Sequence, residues 1–94
     1  MSRGEVFAVF VYDIGRDSVR NRVAKALELH AVRVQRSVFE GRMTRTKAKR
    51  LAGRLSRHLA PEDSLRVYLL SNTAASQTIV QGGAPVEAHE FYLL

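Results

Sequence analysis

The sequence contains no cysteine. A disulfide framework and a thiolate metal site are therefore excluded, and a reducing, intracellular setting fits. Long apolar runs are also missing: none approaches the roughly 20 residues that cross a bilayer. The start, Met1–Glu5, lacks the order of a signal peptide, because the apolar run behind it is short and no small-residue cleavage site follows. The expectation is a soluble, cytoplasmic protein with no membrane partner. There is no glycine-rich phosphate loop, since Gly82-Gly83 lacks a strand-to-helix context. His30, His58 and His89 have no zinc-ligand spacing. Acid is absent from one stretch: Arg42 to His58 holds seven Lys/Arg and no Asp or Glu. The remaining eight basic and nine acidic residues nearly cancel, so the net charge of +6 sits in one segment. That footprint points to a polyanion, nucleic acid first. A solvated helix face is the bland alternative.

What is present starts with Val6–Ile14, a run of β-branched and aromatic residues. It reads as a strand that is apolar on both faces, with Val6, Ala8, Phe10 and Tyr12 on one and Phe7, Val9 and Val11 on the other. Such a strand is central and covered on both sides. Its only charge is Asp13, at the C-terminal end, where a rigid scaffold can present a catalytic or metal-binding group. Asp13 can equally cap the helix that follows.

Gly15-Arg16-Asp17-Ser18 is a turn in which Asp17 or Ser18 can serve as N-cap. Val19, Val23, Ala26, Leu27 and His30 then form a helical stripe over about residues 18–30. Arg20, one turn in, can lean back toward Asp13. Ala31–Gly41 reads as strand, but its phase slips at Arg36-Ser37, which predicts a bulge or two short strands, with Gly41 closing the segment. A basic helix follows. Thr44 is its N-cap, Ala48, Leu51, Ala52, Leu55 and Leu59 its apolar stripe, and Pro61 ends it near Ala60. Gly53 in its interior suits close packing. Leu65–Ser71 alternates as another strand. Asn72–Pro85 is mostly loop with a candidate short strand at Thr78-Ile79-Val80, and a final strand spans about residues 88–94.

The order predicts one domain, residues 1–94, of the α+β class. Its architecture is the ferredoxin-like βαββαβ arrangement with an extra C-terminal strand, an antiparallel sheet carrying two helices on one face. A first strand apolar on both faces then needs cover for the open face, and a second copy in a two-fold dimer is the cheapest cover. The terminal strand would complete a sheet in that dimer.

Several stretches together resemble a known family: Tyr12-Asp13-Ile14, Arg20-Asn21-Arg22, Arg33-Val34-Gln35, Ser37-Val38-Phe39-Glu40-Gly41 and Asp63-Ser64-Leu65-Arg66-Val67-Tyr68. The chain resembles the second core CRISPR-associated (Cas) protein family, the small dimeric subunit of the spacer-acquisition machinery. The resemblance covers nearly the whole chain, in order. It implies a ferredoxin-like homodimer, a metal-dependent nuclease of RNA or DNA, and a partnership with the integrase subunit that captures spacer precursor DNA. It also implies that Asp13 is the catalytic and metal residue, with Tyr12, Arg20, Arg22, Arg33 and Phe39 at positions implicated in activity. One departure concerns the turn before Arg33-Val34-Gln35, where the family often has Tyr-Gly and this chain has His30-Ala31.

One carboxylate per chain is too few for a two-metal nuclease, but a two-fold axis near the strand ends would bring two copies of Asp13 together. Two such carboxylates repel unless a cation lies between them, and Mg²⁺ suits the place because it takes oxygen ligands, keeps waters and bridges to phosphate. Arg20 and Arg33 could then clamp phosphate, while Phe39 stacks on a base or fills the core. Ser37 has no partner histidine and is read as assisting phosphate or metal. Lys49, Arg50 and Arg54 of the basic helix are candidate backbone contacts. A rival reading is a binding scaffold without chemistry, and a third is a toxin-like ribonuclease of the same fold.

Overall fold

The computed structural model describes residues 4–83. The elements run β1 (Glu5–Asp13), α1 (Asp17–Glu28), β2 (Val32–Gln35), β3 (Val38–Thr44), α2 (Arg45–Ser56), β4 (Ser64–Leu70) and a short α3 (Asn72–Ser76). The sheet order is β2-β3-β1-β4, and every neighbouring pair is antiparallel. This is the ferredoxin-like split βαβ order, with β3 inserted between β1 and β2. The expected C-terminal strand lies outside the described residues.

β1 is central, paired with β3 on one side and β4 on the other, as its apolar faces require. Val6, Ala8, Phe10 and Tyr12 point to the side that α1 and α2 cover. There Phe10, Phe39, Leu27 and Val23 are fully buried, with Met43, Ala48, Leu51 and Leu55 around them. Each of these side chains other than Ala48 contributes about 1.5–3 kcal/mol of transfer free energy. On the opposite face, Phe7 is buried near α3, which packs on β1 and β4 through Ala75. Farther along that face Val9, Val11 and Val38 are only half-buried, and Tyr68 is 48% exposed.

The phase slip resolves as two strands. Arg36-Ser37 is a turn, β2 and β3 pair beyond it, and the register shifts between Arg33 and Gln35. Gly41 does not close the segment, because β3 runs on to Thr44. Gly41 instead lies within β3 beside His30-Ala31, the residues that lead the chain into β2. A Cβ there would lie 3.0 Å from the His30 carbonyl oxygen and 3.2 Å from Ala31 Cα, so a side chain would press on backbone that has to give by a few tenths of an ångström. The His30-Ala31 turn is thus accommodated: the amides of both residues donate to the Leu27 carbonyl.

Other expectations need correction. The N-cap of α1 is Arg16, with no side-chain cap bond. Asp17 lies inside the first turn, where a carboxylate favours the helix dipole, and pairs with Arg20. Thr44 does cap α2, its hydroxyl accepting from the Lys47 amide at 3.1 Å. That helix ends at Ser56 rather than near Ala60, because the chain tightens: the amides of His58 and Leu59 donate to the carbonyls three residues back. Gly53 is exposed, and nothing lies within 4 Å of a Cβ placed on it, so close packing is not its role. Thr78-Ile79-Val80 is not a strand. The segment before it folds as α3 because the Ser71 hydroxyl accepts from the Ala74 amide and Ala75 is fully buried.

Candidate functional site

Two neighbours on β1 take opposite faces. Tyr12 turns under the helices, where it is 3% exposed. Its hydroxyl donates to the Arg36 carbonyl at 3.2 Å, its amide donates to the Ser37 carbonyl at 3.1 Å, and its ring stacks on Phe39 with centroids 6.3 Å apart. Asp13 follows the phase of Val9 and Val11. It ends the strand opposite Ser64, exposed, and its carboxylate enters no hydrogen bond or ion pair among the described residues.

An open cleft of about 540 Å³ lies at this strand end, with Asp13, Arg20, Arg33, Arg36 and Ser37 on its walls and Tyr12 beneath. Arg20 does lean back toward the strand end. Its Nη1 donates to the Ile14 carbonyl at 2.8 Å, and its Nη2 pairs with Asp17. Arg33 lies over the Phe39 ring, its Cζ 5.4 Å from the centroid. Its Nε and Nη2 both donate to the Arg36 carbonyl, at 3.0 and 2.8 Å, and its Nη1 is 3.9 Å from Glu28. Phe39 is fully buried, so it fills the core and offers no face to a base.

The remaining predicted residues lie elsewhere. Arg22 is directed to His58, with Nη1 3.5 Å from Nδ1, and does not line the cleft. Lys49, Arg50 and Arg54 are exposed on α2. With Arg45 and Arg57 they form a separate basic surface. His30, at the end of α1, is held below the usual imidazole range by burial first, then by the charges of Lys47 and Arg54.

Sequence reasoning missed two residues. Arg36 enters the sequence reading only as part of the phase slip at Arg36-Ser37, although a cation at a strand break is itself a signal. Asp63 enters the sequence reading only within the Asp63–Tyr68 stretch of the family resemblance. Its Oδ1 accepts from the Gly15 amide at 3.1 Å and its Oδ2 from the Ala60 amide at 2.9 Å. The carboxylate therefore ties the turn after β1 to the turn before β4. These two bonds, Ala60 first and Gly15 second, hold its pKa below the usual carboxylate range. Nothing in local spacing foretells a contact 48 residues apart.

Among the described residues no three Asp, Glu, His or Cys side chains come together as a metal site. With Asp17 engaged by Arg20, the described residues offer one free carboxylate at the cleft, Asp13. That donor set fits a hard cation only when phosphate oxygens, waters or a second carboxylate complete it.

A model of the family described as CRISPR associated protein Cas2 matches residues 6–78. The chain belongs to the Cas2 family. A relative named CRISPR-associated endoribonuclease Cas2 3, from Chloroflexus aurantiacus, is 38% identical over 79 residues, covering 83% of this chain and 85% of its own. The CRISPR-associated endoribonuclease Cas2 of Mycobacterium tuberculosis is 34% identical over 88 residues, covering 94% of this chain and 77% of its own. The crystal structure of a hypothetical protein from Thermus thermophilus superposes with a TM-score of 0.76 at 32% identity, covering 88% of this chain and 98% of that one. A Streptococcus pyogenes Cas2 crystal structure gives a TM-score of 0.69 at 27% identity, covering 81% and 99%. Among the described residues no helix is long and apolar enough to cross a membrane.

Proposed function

We propose that this Cas2-family protein is a homodimeric, Mg²⁺-dependent endonuclease of the CRISPR adaptation machinery, acting on RNA or DNA and joining the integrase subunit in spacer acquisition. The observation that carries the reading is Asp13: a free carboxylate at the end of the central strand, on the sheet face that α1 and α2 leave half-exposed, beside a cleft walled by arginines. The relatives named endoribonuclease make RNA the first substrate to test.

A second copy laid on the half-exposed face would bury Val9, Val11 and Tyr68 and draw two copies of Asp13 toward one axis. A bound divalent cation supplies charge stabilisation on the phosphoryl oxygens and a more acidic water. The protein's own part is to hold the carboxylates there and to place arginines along the path of the phosphate backbone. Tyr12 fixes the strand end through the Arg36 and Ser37 carbonyls, and Arg20 fixes the Ile14 carbonyl one residue beyond Asp13.

The test is Asp13→Ala, assayed on single-stranded RNA and duplex DNA across a Mg²⁺ series. Cleavage should fall by at least about a hundredfold, while the dimer and its melting temperature stay as in wild type. Equal rates for variant and wild type would refute the site.

The exposed basic face of α2 favours a second reading, a scaffold that grips spacer precursor DNA while the integrase subunit does the transfer. In that case Asp13→Ala leaves spacer acquisition intact, and charge removal at Lys49, Arg50 and Arg54 abolishes it.

A further inference from the structure

The cleft at the end of β1 contains three arginines, and two of them are already engaged. Arg20 has one nitrogen on the Ile14 carbonyl and another on Asp17. Arg33 has directed the edge of its fork at the Arg36 carbonyl, lies against Phe39 and has Glu28 near its third nitrogen. A guanidinium recognises phosphate through that same fork. To bind phosphate with it, Arg33 would have to abandon two hydrogen bonds that fix the β2–β3 turn.

Arg36 is different. Its side chain is exposed on the cleft wall and enters no hydrogen bond or ion pair among the described residues. Its backbone is the most heavily anchored point of the cleft, because its carbonyl accepts from the Tyr12 hydroxyl and from both Arg33 nitrogens. Tyr12 precedes Asp13, so the mount of the Arg36 side chain is fixed relative to the strand end that bears the carboxylate. With Asp17 facing Arg20 and Glu28 near Arg33, the cleft retains, among the described residues, one uncommitted negative group, Asp13, and one uncommitted positive group, Arg36.

We infer that Arg36 is the phosphate-binding cation of the Asp13 cleft, and that Arg20 and Arg33 are braces that shape its walls. The ligand is a phosphodiester of a single-stranded nucleic acid passing the strand end. The inference deepens the nuclease reading and rests on it for the identity of the reaction, but the phosphate contact is measurable without any reaction.

The experiment uses the full chain and a fluorescently labelled single-stranded RNA oligonucleotide. Binding is measured in EDTA over a salt series, for wild type, Arg36→Gln, Arg36→Lys and Asp13→Ala. Arg36→Gln should bind about tenfold more weakly, and its log–log salt slope should be shallower by about 0.7, one single-strand phosphate contact. Arg36→Lys keeps the charge and loses the fork, so it should recover the slope with affinity between the two. Melting temperatures of both variants should match wild type, because the side chain has no partner among the described residues. With Mg²⁺ present, Arg36→Gln should raise KM and leave kcat nearly unchanged. Binding within twofold of wild type with an unchanged slope would overturn the assignment, as would a lowered melting temperature, which would make Arg36 a brace like its neighbours. Asp13→Ala separates the two claims. If it cleaves as wild type does, the nuclease reading falls, and the binding series still decides Arg36.

Discussion

One residue of phase separates Tyr12 from Asp13, and it sets what each can do. The alternation of a strand sends the ring inward to the core and leaves the carboxylate at the rim. That much was legible in the sequence, because period-2 patterning is a local signal. Phe39 was not: apolar content fits a stacking platform and a core plug equally, and only its complete burial decides for the core. Arg20, Arg33 and Arg36 look alike in the chain, and only tertiary hydrogen bonds show which guanidiniums are spent. His30 is a further case. Its pKa is lowered in the folded state by burial and by Lys47 and Arg54. The unfolded chain, with an imidazole pKa of about 6.5, therefore binds more protons than the folded one as the medium is acidified. Stability is greatest above that value and falls as the pH drops through it toward the folded pKa. Urea denaturation at a series of pH values from about 7.5 to 5.5 should show this decline, and His30→Gln should flatten it. A wild-type midpoint that rises on acidification in this window would contradict the assignment.

At the scale of elements, capping and breaking residues wrote most of the boundaries. Thr44 starts α2 as its hydroxyl demands, and the mismatch at Arg36-Ser37 marks the break between β2 and β3. The ends that sequence reading misplaced are set by packing or by chain tightening. Examples are the early stop of α2 at Ser56, and α3, held by one buried alanine in a polar stretch. Gly53 shows what local reading lacks. A glycine inside a helix suggests that a neighbour comes close, yet this one faces open space and has no positive φ. It carries the conformational cost of glycine without any packing return. Gly53→Ala should accordingly stabilise the fold by up to about 1 kcal/mol, read as a higher denaturation midpoint. It adds no charge and no bulk near the cleft, so nucleic-acid binding should stay unchanged. Gly41→Ala makes the opposite control, because its Cβ would press on the His30 carbonyl at 3.0 Å.

The whole molecule has two distinct working surfaces, a cleft at the end of β1 that carries the Asp13 carboxylate and the exposed basic face of α2. Apolarity on both sides of β1 had already indicated that the sheet needs cover twice over. Within the chain, α1 and α2 supply one cover, and α3 supplies part of the other, around Phe7. Val9 shows how the remainder can be tested. In the register it lies between Glu40 on β3 and Tyr68 on β4, all three on the face away from α1 and α2. A lysine at Val9 would stand directly across from Glu40, and opposite charges in such a pair are favourable by a few tenths of a kcal/mol. The protomer should therefore fold. The same ammonium would have to be desolvated if a second copy covered the face, at a cost of several kcal/mol. On the proposed dimer, Val9→Lys should sediment as a monomer at concentrations where wild type sediments as a dimer, with its circular dichroism spectrum intact. On the proposed two-carboxylate site it should also lose Mg²⁺-dependent cleavage with Asp13 untouched, because a single carboxylate then remains at each cleft. A Val9→Lys protein that stays dimeric would move the interface to another face. A monomer that cleaves at the wild-type rate would mean that each Asp13 works alone.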